Sequence, residues 1–281
     1  MISEITGVDS LYEVPDVLWN RITPLLPSRN RKRKKTGRPR MNDRKAMSAI
    51  FYVLRTGCQR NALPRSLGAS STIHDRFQEW RKAGVFKRMW IDSLLRYDRE
   101  TGIDGLTGNG RLWTVLLQKH LLGEKCTGAN PTDRAKSGTK RSVLVDGKGV
   151  PISVSVDGAN RHDMKMSKAT LQSIVIYRPK PTMRSKQHMC LDKGYDFPEV
   201  YELLEEFGYT IHIPLRGEKT SNKRNTVPGY RARHWIVERT HSWMNRFRRL
   251  LIRWDKKVEN HIAMLHFACA WITYRRAGVF G

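Results

Sequence analysis

Met189-Cys190-Leu191-Asp192-Lys193-Gly194-Tyr195-Asp196 is an apolar run that stops on a carboxylate and turns at Lys193-Gly194. Behind it, Phe197-Pro198-Glu199-Val200-Tyr201-Glu202-Leu203-Leu204 reads as a helix with proline in its first turn, where an N–H has no intrahelical partner anyway. A strand that ends in an acid just ahead of a helix is where open α/β sheets place their chemistry. An aspartate there also caps the next turn, so the stretch alone leaves both roles open.

The neighbouring elements say which α/β fold this is. Lys140 to Val145 has strand character, Asp146-Gly147-Lys148-Gly149 is a hairpin turn, and Val150 to Val156 returns. Asp163 to Ser173 reads as helical and Pro179-Lys180-Pro181 as a linker. After the Asp192 strand and its helix come a strand at Tyr209 to Pro214, a polar loop from Gly217 to Pro228, and a helix from Arg233 onward. Two antiparallel strands, then helix, strand, helix, strand, helix is the order of a ribonuclease-H-like mixed sheet with helices, so the expected fold class is α/β.

A small all-helical segment stands in front. Pro15 to Leu26 starts with proline at a helix entry and repeats Leu18, Ile22 and Leu25 at helical spacing. Asp43 to Thr56 is amphipathic, with Ala46, Ala49, Ile50, Val53 and Leu54 on one side and Gly57 as its stop. A further helix, capped by Ser70 or Ser71, carries Ile73, Phe77 and Trp80 inside and ends at Gly84. Its other face shows His74, Asp75, Arg76, Gln78, Glu79, Arg81 and Lys82, the pattern of a helix-turn-helix, which any helical hairpin also gives. Between the first two helices, Arg29 to Arg40 is too basic to pack. It reads as a solvated linker or as a phosphate-binding arm whose Arg38 and Arg40 enter a minor groove. The expected division is a helical DNA-binding segment at 1–100, with its basic arm at 29–40, and a catalytic domain at 101–281.

Charge narrows the partner. The 281 residues hold 52 Lys+Arg against 26 Asp+Glu, a net charge of +26, and such an excess calls for a polyanion, nucleic acid before any other. No basic amphipathic helix stands apart to favour a membrane surface. RNA-binding proteins of the ribosomal or chaperone kind share this charge but seldom carry 8 Trp and so much core-forming sequence. Cys58, Cys126, Cys190 and Cys269 have neither zinc nor disulfide spacing, and the opening residues lack a signal peptide's basic and apolar regions. The apolar segment Ile262 to Tyr274 is too short to span a bilayer. A soluble intracellular protein is expected.

The last of these helices supplies a second acid. Glu238 lies among Arg233, His234, Arg239 and Arg246, on a segment whose Trp235, Ile236, Trp243 and Phe247 form an apolar stripe. A salt bridge is the ordinary fate of a glutamate beside arginine. Carboxylates from a strand end and a helix are equally the hard oxygen ligands that Mg²⁺ takes, with nearby cations left for phosphates. Two such ions serve in-line displacement at a phosphodiester.

Taken together the chain resembles a DDE-type insertion-sequence transposase of the group with an N-terminal helix-turn-helix. The resemblance is carried by Thr36-Gly37-Arg38-Pro39-Arg40, Leu54-Arg55-Thr56-Gly57-Cys58-Gln59 with Leu63-Pro64, and Asn130-Pro131-Thr132-Asp133-Arg134. Further on it rests on Gly158-Ala159-Asn160-Arg161-His162-Asp163, Asp192-Lys193-Gly194-Tyr195-Asp196 and Val237-Glu238-Arg239-Thr240. It implies that Asp192 and Glu238 are the second and third acids of a catalytic triad, holding Mg²⁺ or Mn²⁺. It implies cleavage of element ends and joining of their 3′-hydroxyls to target DNA by a homo-oligomer in a prokaryotic cytoplasm, associated with the nucleoid. Double-stranded DNA, both terminal inverted repeats and target, is the implied partner, with Arg38, Arg40, His74, Arg76, Arg81, Lys82, Arg239 and Arg246 as its contacts.

The chain departs from the family at the first acid. Gly105 to Lys125 contains no aspartate, and Thr114 stands at the expected place; Asp104 is too early, and Asp146 and Asp157 too late. Trp113-Thr114 is encoded TGG-ACN, which in a shifted frame contains GAC, an aspartate codon. Permitted codons from Thr107 onward can spell WQWPSVDGAITKAPLGG in that frame, the kind of text the family has there. This reading makes 107–124 a frame-shifted stretch, with one metal ligand and an edge strand lost, and opens an alternative: a defective relic that only binds DNA. Arg60-Asn61 also stands where the family has an aromatic residue next to Gln59.

Overall fold

A computed structural model describes residues 12–28, 39–101, 125–130, 136–177, 181–183, 186–213 and 234–280, together with the backbone of 111–120. The basic arm with Arg38, residues 131–134 of the Asn-Pro-Thr-Asp-Arg motif, the Pro179-Lys180 linker, the 217–228 loop and Arg233 lie outside the described residues.

Four helices come first: α1 (Asp16–Ile22), α2 (Asp43–Thr56), α3 (Ser70–Lys82) and α4 (Val85–Glu100). Asn42 caps α2, its side-chain oxygen accepting from the Arg44 and Lys45 amides at 2.8 and 3.2 Å. Gly57 ends α2 at φ +69, and a Cβ there would meet the Arg248 backbone at 3.0 Å, so glycine answers both the turn and the close approach. Ala46, Ala49, Ile50, Val53 and Leu54 are all buried, as are Ile73, Phe77 and Trp80 of α3. Two details differ from the sequence reading. Ala69, not a serine, precedes α3, and no side chain caps it. Arg76, expected on the outer face, is 4% exposed, because its guanidinium donates to Asp43 at 2.6 Å and to the Met41 carbonyl.

The sheet has seven strands: β1 (Arg111–His120), β2 (Gly128–Ala129), β3 (Ser137–Val145), β4 (Pro151–Gly158), β5 (His188–Cys190), β6 (Thr210–His212) and β7 (Ile252–Arg253). β4, β3 and β1 are antiparallel neighbours, and β1, β5 and β6 follow in parallel. The α/β class and the succession of elements from β3 to β6 agree with the reading from sequence, and the order 4-3-1-5-6 is that of a ribonuclease-H-like sheet. The expectation that residues 107–124 leave the chain without an edge strand is overturned. Residues 111–120 form β1, and β1 is central, with β3 on one side and β5 and β7 on the other. A ladder is built from backbone N–H and C=O groups, and Arg111–His120 contains neither proline nor glycine to interrupt it.

Helices α5 (Ser167–Gln172), α6 (Pro198–Glu206), α7 (His234–Asn245) and α8 (Val258–Arg276) complete the fold. α8 is buried around most of its circumference and runs against α4. Trp271 stacks on Phe51 of α2 with centroids 3.7 Å apart, and Phe267 lies 5.3 Å from Phe86 of α4. Trp90 donates from Nε1 to the Pro151 carbonyl at 3.0 Å, and Tyr97 to Asp146 at 2.9 Å, tying α4 to the β3–β4 hairpin. The N-terminal helices and the sheet thus share one continuous core. No described helix is long and apolar enough to cross a membrane.

Candidate active site

Asp192 sits just past β5. β5 is a short strand, but it is anchored on both sides. His188 and His212 join it to β6 through a ring-to-ring hydrogen bond of 2.8 Å, and the Leu191 amide extends the pairing to the His212 carbonyl. On the other side, Leu112 of β1 is paired with Cys190. The β1–β5 pairing ends at Leu112 and Cys190, and Thr114 on β1 and Asp192, past the end of β5, each lie two residues beyond it. Thr114 itself pairs with Val143 of β3. The expected place of the first acid and Asp192 thus both follow the same end of one short parallel pairing.

The Asp192 carboxylate does the capping that its sequence context allowed. Oδ1 accepts from the Gly194 amide at 2.7 Å and starts the short helical turn Lys193–Tyr195. Oδ2 has no partner among the described residues, so capping occupies half of the group. Tyr195 is fully buried behind this turn, and burial together with Asp163 and Asp192 holds its phenol well above the ordinary range, hence neutral.

Glu238 comes from α7, which packs on β1. Ile236, Val237, Thr240, His241 and Met244 are buried, and Glu238 faces solvent. Thr240 hydrogen-bonds the Gly149 carbonyl at 2.7 Å, pinning α7 to the hairpin turn; a Cβ on Gly149 would approach the Thr240 hydroxyl to 2.8 Å. Beneath α7, Arg141 is completely buried, donating to Asn245 Oδ1 at 3.0 Å and to the Leu250 carbonyl. Burial lowers its pKa to about 10, which still leaves it cationic at neutral pH. Burial and this guanidinium push the His241 imidazole down to about 3, so it stays neutral.

Among the described residues Glu238 makes neither a hydrogen bond nor an ion pair, although arginines are close in sequence. The reason is visible at Arg239. Its guanidinium donates to the Lys148 carbonyl at 2.7 Å and lies 4.8 and 4.9 Å from the Trp235 and Trp243 rings. The stripe read from the sequence is corrected here: Trp235 is 56% exposed, outside the core, and serves as a face for Arg239. Asp192 and Glu238 thus flank β1, one from a neighbouring strand and one from a helix lying on it. No group of three or more His, Cys, Asp or Glu residues suited to a metal ion occurs among the described residues.

The expected DNA contacts are scattered. Arg40 is bidentate to Glu79, with N–O distances of 2.9 and 3.0 Å. Arg76 is inside, so it is not a DNA contact. His74 is half-buried, its pKa lowered by burial and by Arg60. Arg81 donates to Gln78, Lys82 is exposed, and Arg246 is exposed at the end of α7. Cationic residues that the sequence reading passed over, Arg55, Arg275 and Arg276, gather beside Arg246. They are more than 200 positions apart in the chain, and the Arg275-Arg276 doublet in the last turn of α8 is the only local signal, one that a helix terminus also explains.

Comparison with known proteins gives two family matches. Residues 14–90 match a family described as "Putative transposase of IS4/5 family", and residues 113–273 match the transposase DDE domain. A transposase for insertion element IS402 of Burkholderia cepacia is 33% identical over 181 residues, 61% of this chain and 82% of that protein. An uncharacterized 16.2 kDa protein of the same element is 38% identical over 79 residues, 27% of this chain and 54% of that protein. Among solved structures, the Mos1 mariner paired-end complex with Mn is similar at 11% identity and a TM-score of 0.29, covering 92% of this chain and 83% of that one.

Proposed function

Because this chain belongs to the DDE transposase family of insertion sequences, we propose that Asp192 and Glu238 are the two acids with which it would act on element ends, and that Thr114 stands in the place of the third. The observation that supports this is the parallel pairing of β1 with β5, beyond whose last pair Thr114 and Asp192 both follow by two residues, with α7 packed on β1. Asp192 and Glu238 fit a divalent cation in kind, since both are carboxylates with unpartnered oxygens and Mg²⁺ is commonly held by one or two carboxylates plus substrate phosphates. A bound ion would supply activation of a water or 3′-hydroxyl and stabilisation of the leaving oxygen. With Thr114 present, the two-ion arrangement lacks the donor that would lie between the other two.

The chain's own groups have separate tasks in this reading. Asp192 is held by its cap to Gly194, which fixes one oxygen and leaves the other without a partner among the described residues. Arg239, next to Glu238, does not neutralise it because it is bound to the Lys148 carbonyl and lies against two indoles. Arg141 contributes a fixed positive charge under α7, favouring the approach of a phosphodiester. The first 100 residues, with their basic arm, would engage terminal repeats, and the assembly on DNA would be oligomeric.

A cleavage and joining assay with element-end DNA and Mg²⁺ or Mn²⁺ tests this. We expect Thr114→Asp to raise joining by at least about a hundredfold, as for restoring a group that contacts the transition state, and Asp192→Asn in that background to remove the gain. Equal joining by Thr114→Asp with and without Asp192→Asn would overturn the site. The second reading, a relic that only occupies the ends, is favoured by Thr114 itself. It is the result if the unaltered chain binds ends without joining them. Coding DNA that cannot spell the shifted-frame text around Trp113-Thr114 would remove the frame-shift explanation while leaving the site intact.

A further inference from the structure

Where α2, α7 and α8 meet there is a cleft of about 640 Å³. Arg55, Arg246, Arg275 and Arg276 line it, with Phe51, Trp243, Phe247, Trp271 and Phe280 making the aromatic part of its wall. Among the described residues none of the four arginines forms an ion pair. Glu13, the one carboxylate on the wall, is 3.5 Å from Arg44. Arg55 lies 5.4 Å over Phe247 and Arg276 lies 5.3 Å over Trp243. Like charges gathered in a concave place are unfavourable without an anion, and here burial first, and the neighbouring Arg246 and Arg275 to a smaller extent, lower the Arg55 pKa.

The cleft's dimensions select among anions. Its volume is that of pockets that enclose one small ligand, within the usual range of ~300–1,000 Å³. A duplex is read by elements that project into its grooves, and a hollow of this size cannot serve it. Cations above aromatic rings are instead the combination that holds single strands, phosphates on the arginines and bases against the rings. The cleft shares a helix with the carboxylate. Trp235, Arg239 and Trp243 stack along α7, and Trp243 on the cleft wall is five residues on from Glu238, a rise of about 7.5 Å along the axis and about 140° around it.

We propose that this cleft holds an unpaired single strand of DNA. The assignment deepens the reading above, on which it rests, by naming the state of a DNA strand held on the helix that also carries Glu238.

Binding of a short labelled single-stranded oligonucleotide, compared with a duplex of the same sequence, tests it on the full chain. The variant Arg275→Ala/Arg276→Ala should weaken single-strand binding about tenfold or more and reduce the slope of log affinity against log salt by about 1.4, two phosphates at ~0.7 each. Duplex binding should change much less, and Lys168→Ala, exposed on α5, should change neither. A second measurement needs no variant: an oligonucleotide carrying 5-bromouracil, irradiated on the unaltered protein, should crosslink to Trp243 or Trp271. Crosslinks confined to other residues, or an unchanged salt slope in the double variant, would overturn the cleft and leave the transposase reading standing. Displacement of the oligonucleotide by polyglutamate at equal charge would reduce the cleft to a general anion site and equally overturn the proposal. Failure to bind either single strand or element-end duplex would instead strike the transposase reading itself.

Discussion

Two surfaces of this molecule are rich in arginine, and they use it differently. On α3 and around it, arginine is already engaged: Arg76 is buried on Asp43, Arg40 is bidentate to Glu79, and Arg81 holds Gln78. What α3 leaves exposed is Ser71, Thr72, Asp75 and Lys82, one acid and one base. In the cleft of α2, α7 and α8, four arginines make no ion pair among the described residues, and two of them, Arg55 and Arg276, lie over aromatic rings. A net charge of +26 therefore does not say which cations meet a polyanion. Cations already bound to protein partners, whether carboxylates as at Arg76 or amides and carbonyls as at Arg141, serve the fold.

The largest test of this contrast is acid, because it dismantles the helices that frame the cleft. His241 on α7 and His266 on α8 are held neutral by burial, with pKa values pushed from 6.5 to about 3 and about 4. Below pH 6.5 the unfolded chain takes up protons that the folded chain refuses, so stability present above that pH is lost as pH falls toward 4. Each histidine accounts for up to about 3 kcal/mol of that loss. Denaturant unfolding midpoints measured between pH 7 and 4 check it; a flat profile would contradict the buried, neutral assignment.

Next in size is Arg76→Ala. It should cost about 3 kcal/mol of stability, the low end for a broken buried pair because Asp43 keeps Arg40 at 3.7 Å, and it should leave the salt slope of DNA binding unchanged. Arg246→Ala should do the reverse. Stability should stay within about 0.5 kcal/mol, while one phosphate contact's worth of salt dependence is lost. Smallest is Lys82→Ala, the remaining exposed cation of α3, which should alter duplex affinity by less than about threefold. A loss of duplex affinity of about tenfold or more would restore α3 as the principal duplex surface.

Much of this was legible from the chain alone, and the reasons differ by element. α2 was readable to the residue because Asn42-Asp43 and Thr56-Gly57 punctuate a clear 3.6-residue pattern. The β3–β4 hairpin and the strand into Asp192 were readable from alternation and turn residues, and together they implied the fold class. The centrality of β1 was not, since its text departs from the family while its backbone still pairs, and a ladder does not depend on which side chains it carries. Arg76 was misjudged because helical spacing alone cannot say that a partner lies 33 residues upstream at Asp43. The cleft could not be read at all: Arg55, Trp243 and Arg276 become neighbours only through the packing of α2, α7 and α8. Glu238 was singled out as an acid among arginines, but that Arg239 is engaged by the Lys148 carbonyl, on a distant hairpin, could not be read from spacing.

One consequence of α8 concerns the making of the protein. The surface against which α2 and α4 close, through Phe51, Phe86 and Trp90, is supplied by a helix that leaves the ribosome long after them. A nascent chain cannot finish its front half early and release it to bind DNA while the rest is still being synthesised. Whatever DNA the mature molecule engages, it engages with front and back already locked together.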